Sequence, residues 1–82
     1  MTAQRSKAEV DRLLRIGGDR LRRLEEINTT SAALEAVALN LALKRVVCDR
    51  EISNEVKFNV LRDAIASADR EIDRYHNTEA TS

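Results

Sequence analysis

Cys48 and His76 are the chain's single thiol and single imidazole. Nucleophilic catalysis by a cysteine needs a base beside it. The sequence keeps these two apart. Cys48 closes an apolar run after Val46-Val47, whereas His76 follows Tyr75 near the C-terminus. The pattern reads as a buried or partly buried structural thiol, and as a cationic imidazole suited to the last turn of a helix. No second strong metal ligand stands at a useful spacing from His76.

The acidic cluster Asp69, Glu71 and Asp73 is interleaved with Arg70 and Arg74. Glu71–Arg74 and Arg70–Asp73 at i, i+3 suggest a surface laced with ion pairs. Acid–base work would ask for two carboxylates in a dry cleft, and calcium for a twelve-residue loop with its glycine. The sequence therefore predicts no catalytic, cofactor-binding or metal-binding residue, and no enzyme.

Two further features invite a functional reading. Arg12, Arg15, Arg22 and Arg23 fall on one side of the first periodic segment, as an anion- or nucleic-acid-binding face would require. Asp11, Asp19 and Glu26 are interleaved there, which favours an ordinary solvated face. Gly17-Gly18 is the second feature, since mid-helix glycine costs about 0.5–1 kcal/mol relative to alanine. Either a neighbouring helix crosses closely there, or the helix breaks and Asp19 caps a new one. A break would give a helix-turn-helix outline presenting Arg20, Arg22 and Arg23, but Glu25 and Glu26 follow at once and would repel phosphates. No strand precedes these glycines and no Gly-Lys-Ser/Thr follows, which excludes a phosphate loop.

The elements that must position these residues are helical. The 82 residues include no proline, two glycines, one Phe and one Tyr, and Ala, Leu, Arg and Glu dominate. Strands and tight turns both lack their preferred residues. Ser6-Lys7-Ala8-Glu9 reads as a capping box before a stripe of Val10, Leu14, Gly17, Leu21 and Leu24. Asn28-Thr29-Thr30-Ser31 and Asp49-Arg50-Glu51-Ile52-Ser53 are breaks that supply N-caps. The expected helices cover about 6–27, 31–48 and 53–76. Residues 1–5 are expected to be a flexible start and 77–82 a disordered tail. Short loops make neighbouring helices antiparallel, giving an all-α three-helix bundle.

The middle helix is the informative one. Between residues 32 and 47 only Glu35, Asn40, Lys44 and Arg45 are polar. Two flanking amphipathic helices cannot hide such a segment on every side, and 82 residues make a marginal core alone. Completion by dimerisation or by a partner protein follows, with a monomer that wraps its middle helix as the alternative. The expected interface is Leu34, Val37, Leu39, Asn40 and Leu41 of the middle helix with Phe58, Leu61 and Ile65 of the third. Asn40 would either fix register inside this apolar surface or sit at its edge.

Charge adds a polarity. Lys/Arg and Asp/Glu are equal at 14 each, yet residues 51–82 hold four basic against seven acidic residues. The balance argues against a strongly basic nucleic-acid binder, and the uneven halves could align chains antiparallel. No signal-peptide pattern is visible and the apolar run is too short to span a bilayer, so a cytoplasmic protein is expected. The functional expectation is a small regulator, adaptor or inhibitor that packs helices against itself or another protein. The alternative is a dimeric nucleic-acid-binding regulator using the basic first helix.

Overall fold

A computed structural model describes residues 6–81, with side chains through Asn77. It contains three helices and no strand among the described residues: α1 (Lys7–Glu26), α2 (Thr30–Cys48) and α3 (Asn54–Thr81). Each starts at a short hydroxyl side chain that takes an otherwise unpaired backbone N–H. Ser6 Oγ accepts from Glu9 N at 3.2 Å, Thr29 Oγ1 from Ala32 N at 3.1 Å, and Ser53 Oγ from Val56 N at 3.3 Å. Thr29 caps α2, and that helix begins one residue earlier than the sequence suggests.

Two other expectations change. α1 is unbroken through Gly17-Gly18, and neither glycine has positive φ. The helix-turn-helix reading falls, and close packing replaces it. Gly17 is buried, and a Cβ there would stand 2.7 Å from Leu43 Cδ2 on α2. Gly18 faces open space. At the other end, α3 continues to Thr81 where a disordered tail was expected from residue 77. No glycine or proline stands there to stop it, and Glu79 and Ala80 favour helix. The expected flexible residues 1–5 lie outside the described residues, as does Ser82.

Each helix packs on the other two. Leu43 of α2 lies against Gly17, and Glu35 and Ser31 bond to Ser67 and Arg74 of α3. Phe58 shares a groove with Leu13 and Ile16, and Arg20 of α1 pairs with Asp69 of α3. The order is therefore up-down-up: α1 and α3 run parallel, with α2 antiparallel to both.

The core is aliphatic. Leu24, Leu39, Val46 and Leu61 are its largest fully enclosed side chains, and no polar side chain is buried among the described residues. On α3, Leu61, Ile65, Ala68 and Ile72 are buried and form the inner seam, with Phe58 and Tyr75 half-buried at its ends.

Candidate functional site

α2 is apolar on two opposite sides, and the bundle uses one. Ala32, Ala36, Leu39 and Val46 turn inward. Leu34, Val37 and Leu41 turn outward, at 67%, 59% and 62% exposure. Their spacing of three and four places them in one line along the helix, and Cys48 extends it by a further seven residues. Exposed Ala33 and Ala38 flank the line, so its margins are low and a helix can approach closely. At a 1.5 Å rise the stretch from Leu34 to Cys48 is about 21 Å long. Lys44 and Arg45 are exposed near its C-terminal end. No acidic side chain sits on this face: the single carboxylate within α2, Glu35, points toward α3 and accepts a 2.6 Å hydrogen bond from Ser67.

The structure divides the interface expected from sequence. Leu34, Val37 and Leu41 are on the outer face. Leu39, Leu61 and Ile65 are not available to a partner, because the chain's own helices enclose them at 1%, 0% and 8% exposure. Phe58 is half-buried against the core, and Asn40 is half-buried at its edge rather than within it. Periodicity alone merges two faces that the bundle separates. Sequence reasoning missed Val47 and Val56 as exposed apolar side chains, at 65% and 45%. Val46 points into the core, and Val47, about 100° round the helix, falls on the exposed side.

Cys48 is exposed, not the buried or partly buried thiol expected, because the last turn of α2 directs Val46 inward and leaves Cys48 outside. His76 is exposed and meets Tyr75 edge to face at 5.8 Å between ring centroids. Since α3 runs on to Thr81, His76 does not occupy its last turn.

Arg12, Arg15, Arg22 and Arg23 are all exposed. Acidic neighbours divide them. Asp19 pairs with Arg23 at 3.4 Å and with Arg20 at 2.7 Å, and Arg20 also reaches Asp69 at 2.7 Å. Arg22 and Arg23 line a groove toward Tyr75 and His76, but Asp19 and Glu26 share it. The side of α1 thus presents mixed charge. Glu71 pairs with Arg74 at 2.7 Å, and Arg74 also donates to Ser31, tying the cluster on α3 to the start of α2.

Among the described residues, no three His, Cys, Asp or Glu side chains stand together in a way that could hold a metal ion. No helix there is long and apolar enough to cross a membrane. Comparison with protein-family models, curated proteins and solved structures finds no match.

Proposed function

We propose that this protein is a small helical interaction module, a regulator, adaptor or inhibitor, that docks through the outer face of α2. One observation carries the reading: Leu34, Val37 and Leu41 form an exposed apolar line opposite the buried face of the same helix. Scattered exposed apolar residues are ordinary, but an aligned set on one helix marks a surface for another helix. Full burial of one such side chain contributes about 1.5–3 kcal/mol and about six-tenths of each is still exposed, so covering each adds about 1–2 kcal/mol. The mode is helix packing at spacings of three and four, with alanines allowing close approach.

Site-specific photocrosslinking in the source cell tests this. A photoreactive side chain in place of Val37 should capture a protein, and the same group in place of Arg12 should not. The Leu34→Asp/Leu41→Asp variant, whose changes are on the surface and whose helix content is checked by circular dichroism, should lose the capture. Equal capture from both positions, or capture that survives the double substitution, refutes the reading.

A further inference from the structure

We infer that the occupant of the outer face of α2 is a second copy of this chain, paired two-fold with the two α2 helices antiparallel. This rests on the docking face proposed above and names its partner. The first support is self-complementarity along the line. With the two-fold axis beside Val37 and Ala38, Leu34 of each copy meets Leu41 of the other, and the two Val37 side chains meet at the axis. Every exposed large apolar side chain of the line then faces another. Lys44 and Arg45 fall opposite Ser31 and Thr30, at the start of the partner helix.

The second support is charge. The up-down-up order gathers residues 6–16 and 40–67 at one end of the bundle and 17–39 and 68–77 at the other. The first end holds eight Lys/Arg against six Asp/Glu, and the second five against seven. An antiparallel two-fold sets each basic end against the partner's acidic end. It brings exposed Lys44 and Arg45 toward the end that carries exposed Glu25 and Glu26 and half-buried Glu71. A parallel pair would instead stack like on like. Antiparallel α2 helices also oppose their dipoles. The contact is isologous, so it closes at two copies.

The geometry makes the test specific. In the antiparallel pair the two Cys48 residues are about 30 Å apart along the helix axis. A disulfide needs Cα atoms within about 7 Å. A parallel pair would bring Cys48 beside Cys48. Sedimentation equilibrium of the full chain across a concentration series should show a monomer–dimer equilibrium. Leu34→Asp/Leu41→Asp should weaken it by about 10²-fold or more. In a glutathione redox buffer, Val37→Cys with Cys48→Ser should form a disulfide-linked dimer while the native chain does not.

A monomer at all concentrations overturns self-pairing and leaves the docking face to be decided by photocrosslinking. A dimer indifferent to the double substitution overturns this pairing by placing the contact elsewhere. Linkage through Cys48 as efficient as that through Val37→Cys overturns the antiparallel arrangement.

Discussion

Leu39 and Leu41 carry the same side chain two positions apart on α2, one at 1% and the other at 62% exposure. Truncating each to alanine measures how the helix divides its two apolar sides. For Leu39→Ala the lost transfer energy and the cavity left behind add, giving about 2–5 kcal/mol. For Leu41→Ala the folded chain had removed only about four-tenths of the side chain from water. Full burial of a leucine contributes about 1.5–3 kcal/mol, so the loss is about 0.6–1.1 kcal/mol, less a few tenths returned by the helix propensity of alanine. A chain of this size has a total stability of about 4–12 kcal/mol, so the first change removes a large part of it and the second little. Urea unfolding followed by far-ultraviolet circular dichroism at low concentration, with unchanged m-values, gives both numbers. Repeating it at about 100-fold higher concentration adds the effect of association, which should raise the cost of Leu41→Ala alone. Equal costs at low concentration would mean that a single chain already covers both sides of α2, and the reasoning about the outer face would fail.

Other consequences are independent of this one. Gly18→Ala meets open space and should stabilise the chain by about 0.5–1 kcal/mol, a rise in Tm of roughly 2–8 °C, whereas Gly17→Ala must displace Leu43 Cδ2 and should gain less or lose. Thr29→Ala removes the cap of α2 and should cost about 1 kcal/mol by thermal or urea unfolding. A double-mutant cycle on Arg20 and Asp69 should give a coupling of about 0.2–1 kcal/mol that shrinks with added salt, because both side chains are partly exposed. Fluorescence anisotropy with duplex DNA should show at most a sequence-indifferent signal at low salt that disappears by about 0.2 M; a sequence-selective signal would favour the nucleic-acid reading instead.

The fold class was open to inspection in the sequence because its causes are local. Apolar residues recurring at three and four, hydroxyl caps at Ser6 and Ser53, and the absence of proline each act within a turn or two of helix. The same locality misled at the C-terminus, where polar residues from Asn77 suggested disorder although nothing there stops a helix. The site was half legible. Composition showed that α2 has more apolar surface than two neighbours can cover, a matter of area. Which side chains make up the excess depends on the rotation of α2 against α1 and α3, which long-range packing fixes through contacts such as Leu43 on Gly17. That rotation sends Leu39 inward and Leu34, Val37 and Leu41 outward, and it leaves Cys48 in the open. A periodicity gives the angle between side chains on one helix; only the neighbouring helices supply the direction of the core from which that angle is measured.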